Sequence, residues 1–273
     1  TGALVVARSY SPPAVPCTTL NGMKRPLNIG HRGARDLAPE NTVAGLLAGI
    51  SAGADGVEFD VQCTKDGHLV LFHDDTLTRI TGVRGLLVKC TLAQLRELNA
   101  GGYFGPQYAG ELIPTLDEAI ERLPAGCFLN IEAKRKKLLS DGLERGIAEA
   151  VRRHNLYDRV IVSSFNPVAL WRIGRIDRRI PLGLLYETGM PFLMDTGWPR
   201  RMLRLAALHP SWGLVTPEFV AEAHARGQKV FSWTVNDPED MHLMIEAGVD
   251  GIITDRPDIL AQVLEQSADR TTD

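Results

Sequence analysis

Cysteine, surplus positive charge and long apolar runs are all scarce in this chain, and each shortage argues against a class of protein. The four cysteines are widely spaced and form no CxxC pair, so reduced thiols fit better than a disulfide framework or a cysteine-based zinc site. A net charge of -3 excludes a strongly basic surface of the kind that coats nucleic acid. No stretch reaches the ~18 uninterrupted apolar residues of a membrane-spanning helix, so no span is expected.

Several catalytic signatures are also missing. The chain contains no GxxxxGKS/T loop, no GxGxxG and no HExxH. What it does contain is material for a sizeable core. Its 273 residues, with 44% hydrophobic content and a mean hydropathy of -0.06, describe a soluble globular protein of one large domain or two ordinary ones.

The first residues are predicted to be a tail. Residues 1–24 include Pro12, Pro13 and Pro16 and show no hydrophobic periodicity. The short apolar run Leu4–Ala7 has no basic flank and is too short for the core of a signal peptide. We therefore expect no export signal and a cytoplasmic protein.

Beyond the tail, short β-rich runs alternate with helical patterns. The predicted strands are 27–31, 56–61, 128–133, 159–164, 181–186, 212–216, 229–235 and 251–254. The predicted helices are 41–53, 116–123, 141–154, 167–176, 198–207, 218–226, 238–247 and 257–265. Asn166, Thr216 and Asp237 each precede a proline, and Thr115 with Glu118 forms a capping box, as expected at helix starts. Eight strands that are each followed by a helix predict an α/β fold, the (β/α)8 TIM barrel.

A ninth β-rich run, Leu69–His73, follows the second strand after only four residues. A parallel crossover needs about a dozen residues, whereas Asp66-Gly67 is typical of a hairpin turn. We therefore expect residues 62–73 to form an antiparallel arm after strand 2. A turn centred on Asp66-Gly67 places Asp60 opposite His73.

The longest insertion spans residues 74–114. It contains one predicted helix, Leu92–Leu98. Its loop 99–110 is rich in glycine and aromatic residues. Such a segment on the loop face of a barrel usually covers the site or contacts a ligand.

Acidic side chains mark the ends of two neighbouring strands. Side chains alternate across a strand, so Glu58 and Asp60 share one face, as do Asn130, Glu132 and Lys134. A lone Glu-x-Asp is also typical of a solvated sheet edge or a salt bridge. The polar residues Asn130, Glu132 and Lys134 on the neighbouring strand make that interpretation less favourable. Carboxylates confined together need a cation or protonation, and oxygen ligands without cysteine favour Mg²⁺ or Ca²⁺ over zinc.

Two histidines and an arginine complete the candidate site. Strand 1 ends in Gly-His31-Arg32-Gly, in which histidine suits proton transfer and arginine suits a phosphate or a carboxylate. His73 lies near Asp60 in the predicted hairpin. A histidine at a strand end often only bonds a carboxylate, but two histidines beside a metal and two cations match phosphoryl transfer.

Aromatic residues follow two other strands. Trp233 fits a substrate wall and plain core packing equally well, whereas core packing is favoured for Phe165. The remaining histidines fit surface or core positions, and His209 is placed near a helix end.

An ordered set of short motifs resembles the glycerophosphodiester phosphodiesterase family across residues 27–260. The motifs are Ile29-Gly-His-Arg-Gly33, Pro39-Glu-Asn-Thr42, Val57-Glu-Phe-Asp60, Val70-Leu-Phe-His-Asp74, Ile113-Pro-Thr-Leu116, Asn130-Ile-Glu-Ala-Lys134, Phe231-Ser-Trp-Thr-Val-Asn236 and Gly251-Ile-Ile-Thr-Asp255. The resemblance implies a TIM-barrel domain, here residues 25–267. It implies one divalent cation on Glu58, Asp60 and Glu132. It also implies His31 and His73 as acid and base, with Arg32 and Lys134 on the phosphate, and Trp233 fits the substrate-binding wall.

The implied reaction is hydrolysis of a glycerophosphodiester to sn-glycerol 3-phosphate and an alcohol. The glycerol hydroxyl next to the phosphodiester attacks phosphorus and expels the alcohol, and water opens the resulting cyclic phosphate. The expected partner is thus a small-molecule substrate and not nucleic acid.

Other functions stay open at this stage. A lysophospholipase D or a sphingomyelinase D-like enzyme would favour an apolar loop face, which Tyr103-Phe104 could supply. A silent barrel that only binds a phosphorylated polyol would not need both histidines. A metal-dependent sugar isomerase or aldolase can share the fold.

Overall fold

Parallel strands alternate with helices in the computed structural model, which describes residues 25–134, 142–189 and 203–269. The predicted tail, residues 1–24, lies outside the described residues. Within these ranges, none of the helices combines the length and the apolar character that a bilayer crossing requires. Cys63 and Cys127 are buried and Cys90 is half-buried, and no disulfide joins these three described cysteines.

In the described part of the chain the sheet has nine strands, and eight of them form a closed parallel barrel. The strands are β1 Leu27–Gly30, β2 Gly56–Cys63, β3 Leu69–Leu71, β4 Phe128–Ala133, β5 Val160–Ser164, β6 Leu182–Tyr186, β7 Ala207–Pro210, β8 Lys229–Ser232 and β9 Gly251–Thr254. From β1 the order runs through β9, β8, β7, β6, β5 and β4 to β2, and β1 pairs with β2 to close the ring. The predicted TIM barrel is confirmed.

Helices surround the barrel, and their starts follow the predicted capping chemistry. Within the described residues they are α1 Val43–Ser51, α2 Thr78–Thr81, α3 Leu92–Arg96, α4 Leu116–Arg122, α5 Leu143–Arg153, α6 Pro167–Ile176, α7 Pro217–Ala225, α8 Pro238–Glu246 and α9 Pro257–Asp269. Asn166, Thr216 and Asp237 each accept a backbone N–H in the first turn of the helix that follows. Thr115 and Glu118 form the expected capping box.

The predicted strand 212–216 and the predicted helix 198–207 are corrected by the structure. Residues 198–202 lie outside the described residues, but the chain from 203 to 206 is not helical and β7 begins at Ala207. Residues 212–214 form a 3₁₀ turn in which Trp212 is exposed. The run up to Leu208 is rich in helix-forming residues, yet pairing with both β6 and β8 makes its end a buried strand.

The predicted hairpin arm is confirmed, but its register is one residue off. β3 pairs antiparallel with β2, with Val61 opposite Leu71, so Asp60 lies opposite Phe72 and not His73. The cause is the turn, which has three residues instead of two and ends at Gly67 in a left-handed conformation, with φ of 86°. His73 therefore lies just beyond the ladder.

The insertion packs behind the site and does not cover it. Its α3 confirms the predicted helix, and Leu77, Leu87 and Leu95 form a small core of their own with Phe72. No residue of 75–114 lines the pocket described below. The prediction that this segment covers the site or contacts a ligand is thus wrong. The segment does contact residues next to the site, because the Tyr103 hydroxyl accepts a hydrogen bond from the Glu40 backbone N–H at 3.0 Å.

Apolar side chains fill the barrel on both of its faces. A large core lies between the strands and the helices, and a smaller one fills the barrel interior. His209 lies inside the barrel on β7 and not near a helix end, because the strand replaces the predicted helix. Its ring is fully buried and stacks on Phe231, with 5.1 Å between the ring centroids. Among the described residues neither ring nitrogen has a hydrogen-bond partner.

Burial of His209 predicts acid-sensitive stability. Burial lowers the pKa of His209 from 6.5 to about 3, so unfolding takes up a proton between those pH values and the free energy of unfolding falls as the pH drops. Between pH 7 and pH 5 we expect this residue to cost about 2 kcal/mol. Urea denaturation should show a correspondingly smaller pH dependence in His209→Leu. The exposed His68→Gln variant is the control, and an unchanged slope in His209→Leu would contradict the assignment.

Candidate active site

A pocket of about 360 Å³ opens at the carboxyl-terminal ends of the parallel strands. Polar side chains from the β1, β2 and β4 side of the barrel form one wall, and Phe165, Leu185 and Trp233 from β5, β6 and β8 lie across from it. The carboxyl ends of barrel strands are where side chains from several strands converge. The pocket lining therefore includes every predicted site residue except Asp60, which is buried beside it.

Three carboxyl groups meet on the polar side of the pocket. Glu58 and Asp60 point inward from β2, and Glu132 follows on β4, where it lies opposite Asp60 in the parallel register. One carboxylate oxygen from each of the three lies within 4.8 Å of the others. All three residues are buried, so the structure brings the predicted acidic cluster together.

Burial makes this cluster electrostatically costly. Burial and the nearby charges of Asp60 and Glu132 raise the pKa of Glu58 well above its usual range. Burial, aided by Asp60, raises the pKa of Glu132 to about 7. Burial alone would also raise the pKa of Asp60, but the charges of Lys134 and Arg32 outweigh it and lower that pKa. Full ionisation of all three groups therefore requires a cation.

The donor set fits a hard divalent cation. It consists of carboxylate oxygens, with no sulfur ligand among the three side chains. Asp60 Oδ1 is buried, and no described residue forms a hydrogen bond with it, although Lys134 Nζ approaches to 3.3 Å. The other oxygen, Oδ2, accepts a hydrogen bond from Asn41 Nδ2 at 2.8 Å, so the carboxylate is held with Oδ1 available.

His31 is oriented by a carboxylate from the far end of the chain. Its Nδ1 lies 2.6 Å from Asp255 Oδ1, and Asn236 Nδ2 donates to the other oxygen of Asp255 at 2.9 Å. A hydrogen bond from Nδ1 to Asp255 leaves Nε2 as the free basic nitrogen. That nitrogen lies 3.9 Å from Glu58 Oε2, at the edge of the acidic cluster.

His73 is held in the same manner by its neighbour. Its Nδ1 lies 2.8 Å from Asp74 Oδ1, and Arg79 Nε donates to Asp74 Oδ2 at 2.7 Å. Gln62 Nε2 contacts the backbone carbonyl oxygens of residues 72, 73 and 74, which fixes the chain beyond the hairpin. Burial lowers the pKa of His73, against the opposing effect of Asp60. His73 thus remains beside Asp60 despite the register difference.

Arg32 and its flanking glycines form a tight turn over the cluster. Arg32 has a left-handed backbone, with φ of 49°, and its N–H donates to Glu58 Oε2 at 2.9 Å. Such a conformation is strained for a residue with a side chain and is concentrated at functional sites. A Cβ at Gly30 would lie 1.8 Å from the Gly33 carbonyl oxygen, so the turn requires glycine there.

Charged side chains outside the pocket lining hold Arg32 in place, and the sequence alone did not assign them this role. Arg32 Nη1 donates to Glu40 Oε1 at 2.8 Å, and Arg79 donates to both oxygens of Glu40. Asn41 is also left-handed, with φ of 56°. Its side-chain Nδ2 donates to Asp60 Oδ2, and its Oδ1 accepts a hydrogen bond from the Asp60 backbone N–H. Glu40 and Asn41 belong to the Pro39–Thr42 motif, and this motif is the sequence signal that could have assigned them to the site.

The wall across from the acidic cluster is aromatic. Trp233 and Phe165 meet edge to face with 5.4 Å between ring centroids, and both line the pocket. Trp233 Nε1 donates to the His209 carbonyl oxygen at 2.7 Å, which fixes the indole. The core position favoured for Phe165 is therefore wrong, since its half-exposed ring faces the cavity.

Comparison with known proteins agrees with this geometry. The model of the glycerophosphoryl diester phosphodiesterase family matches residues 31–259, which include every residue that lines the pocket. The chain belongs to the glycerophosphoryl diester phosphodiesterase family. Members of this family are phosphoric diester hydrolases, so the chain is an enzyme of that class.

Individual relatives extend over nearly the whole family domain. A glycerophosphodiester phosphodiesterase of Caldanaerobacter subterraneus is 42% identical over 241 residues, which cover 88% of this chain and 98% of that protein. One from Bacillus subtilis is 30% identical and covers 88% of this chain and 86% of that protein. The structure is similar to that of an Oleispira antarctica phosphodiesterase in complex with the product sn-glycerol-3-phosphate, with a TM-score of 0.80, 32% identity, and coverage of 88% and 97% of the two chains.

Asp255 gives a direct test of how this phosphodiesterase orients His31. In Asp255→Asn the amide cannot stabilise the tautomer that leaves Nε2 basic, so we expect kcat to fall about 10²-fold or more. KM should change little, because Asp255 reaches the reaction only through His31. Steady-state kinetics on a glycerophosphodiester, with the more exposed Asp258→Asn as control, measures the effect. A change confined to KM would contradict this positioning role.

Proposed function

We propose that the chain hydrolyses glycerophosphodiesters to sn-glycerol 3-phosphate and an alcohol, with two histidines as acid and base. One observation carries the proposal: His31 and His73 each bond a carboxylate through Nδ1, and both line one pocket with Glu58 and Glu132 of the acidic cluster. A barrel that only bound a phosphorylated polyol would gain nothing from two histidines held for proton transfer. The catalytic domain is proposed to span residues 25–267.

The two histidines divide the proton transfers of the reaction. The glycerol hydroxyl beside the phosphodiester attacks phosphorus while one histidine accepts its proton, and the other histidine protonates the departing alcohol oxygen. In the second step the histidine that protonated the alcohol accepts a proton from the attacking water. The other histidine returns its proton to the glycerol oxygen as the bond from that oxygen to phosphorus breaks and the cyclic phosphate opens. In-line displacement places the attacking and leaving oxygens on opposite sides of phosphorus. One histidine on each side can therefore serve one of the two oxygens.

Cationic side chains and the acidic cluster complete the proposed machinery. Glu58, Asp60 and Glu132 would hold one divalent cation, Mg²⁺ or Ca²⁺, which supplies Lewis-acid stabilisation of the phosphoryl oxygens. Lys134 Nζ lies 2.9 Å from Glu132 Oε1 and is therefore next to the acidic cluster. From this position Lys134 would contact the phosphate together with Arg32. Both cations line the pocket and would stabilise charge on the non-bridging oxygens.

A substrate panel tests this function. The experiment measures the release of the phosphate-containing product from glycerophosphocholine, glycerophosphoethanolamine and lysophosphatidylcholine. Each substrate is tested with EDTA and with added Mg²⁺ or Ca²⁺. We expect turnover of the first two and dependence on the cation. Turnover of lysophosphatidylcholine alone would instead support the lysophospholipase D alternative. The cytoplasmic location expected from the sequence stays a prediction.

A further inference from the structure

Two buried polar side chains that line the pocket have no hydrogen-bond partner among the described residues. Asn130 lies on β4 and Ser163 on β5, and they are 1% and 0% exposed. Neither the amide of Asn130 nor the hydroxyl of Ser163 forms a hydrogen bond within the described part of the chain, yet both residues line the pocket. Buried polar groups are nearly always paired, so two unpaired neighbours at a cavity indicate a bound group.

The register places these two side chains directly beside the acidic cluster. Asn130 lies opposite Glu58 on β2, and Ser163 lies opposite Glu132 on β4. Whatever contacts them is therefore next to the phosphate position of the proposed reaction. The leaving alcohol varies in size among substrates and suits the open mouth, whereas the glycerol moiety is constant and suits the enclosed base.

The hydrogen-bonding groups of Asn130 and Ser163 indicate which kind of ligand they bind. An asparagine amide and a serine hydroxyl each offer a donor and an acceptor. A phosphate oxygen only accepts and an ammonium group only donates, but an alcohol hydroxyl does both. The hydroxyl next to the phosphodiester is consumed by the attack on phosphorus, so the terminal hydroxyl of the glycerol is the one left to bind.

We infer that Asn130 and Ser163 bind the terminal hydroxyl of the glycerol moiety and thereby select glycerol-based diesters. This inference rests on the proposed function. Neither side chain takes part in proton transfer, so both act as specificity-determining residues. Ser232 provides a matched control, because its hydroxyl is equally buried and unpartnered among the described residues but does not line the pocket.

The test compares glycerophosphocholine with 2-hydroxypropyl phosphocholine, which keeps the attacking hydroxyl and lacks the terminal one. The wild-type chain should show a kcat/KM about 100-fold lower on the analogue, since a site built to bond a hydroxyl rejects a substrate without it. Asn130→Leu and Ser163→Ala should each lose about tenfold on glycerophosphocholine and little on the analogue. Ser232→Ala should behave as wild type on both.

Each other outcome overturns the inference. Equal kcat/KM on the two substrates in the wild-type chain would show that the terminal hydroxyl is not bound. Equal losses on both substrates in the variants would assign Asn130 and Ser163 to the phosphate or the cation. If Asn130→Leu does not fold, Ser163→Ala and the wild-type comparison decide.

Binding separates this inference from the proposed function. Calorimetry should show that the full wild-type chain binds sn-glycerol 3-phosphate about tenfold or more tightly than propane-1,2-diol 1-phosphate. Failure to hydrolyse either diester would overturn the proposed function while this binding preference still supported the hydroxyl site. Hydrolysis of the diesters together with equal binding of the two phosphates would support the proposed function and overturn the hydroxyl site.

Discussion

Replacement of either His31 or His73 by alanine should lower kcat on glycerophosphocholine about 10²–10⁴-fold, the usual effect of general acid–base catalysis. Each histidine has Nδ1 committed to a carboxylate, so alanine removes the one nitrogen available for proton transfer. The double variant should lose much less than the product of the single losses, because each group helps only while its partner works.

Metal affinity and folding supply the controls for this prediction. Both single variants should bind Mg²⁺ or Ca²⁺ nearly as well as wild type, since neither histidine belongs to the carboxylate cluster. His154→Ala is a suitable control, because its ring pairs with Asp117 at 2.8 Å outside the pocket. Near wild-type turnover in both His31→Ala and His73→Ala would contradict the acid–base assignment and favour a barrel that only binds its ligand.

Asp60→Asn should lower turnover about 10³-fold or more and also weaken cation binding. A bound cation stabilises the transition state by several kcal/mol, which corresponds to a loss of this size. Asp60 Oδ1 lies in the cluster, is buried and forms no hydrogen bond with any described residue, so the substitution removes negative charge directly at the proposed cation position. Calorimetric titration with Mg²⁺ and with Ca²⁺, together with steady-state kinetics, measures both effects.

Chelation should reproduce the effect of this substitution in the wild-type chain. EDTA should abolish turnover, and added Mg²⁺ or Ca²⁺ should restore it in wild type but not in Asp60→Asn. The exposed Glu121→Gln on α4 is a matched loss of one carboxylate and should behave as wild type. Full activity in EDTA would contradict the assignment of the cluster as a cation site.

The acidic cluster was predictable because strand periodicity alone fixes it. Glu58, Asp60 and Glu132 alternate with apolar residues, and parallel strands bring their carboxyl ends to one edge of the barrel. The existence of the hairpin followed from chain length, since four residues cannot make a crossover. Its register did not, because a three-residue turn at Gly67 and a two-residue turn share the same Asp-Gly signal.

The residues that hold the histidines were harder to assign from sequence. Asp255, which is itself held by Asn236, meets His31 only after the barrel closes between β1 and β9, over more than two hundred positions. The strand β7 was missed for a related reason. Its sequence has helical propensity, and only pairing with β6 and β8 decides its conformation.

Phosphorus NMR of glycerophosphocholine turnover tests the central claim most directly. The wild-type chain with Mg²⁺ or Ca²⁺ should convert the diester signal to that of sn-glycerol 3-phosphate, because the glycerol oxygen stays on phosphorus while choline leaves. The signal of phosphocholine, which would mean that the glycerol had left instead, or an unchanged diester signal would contradict the account.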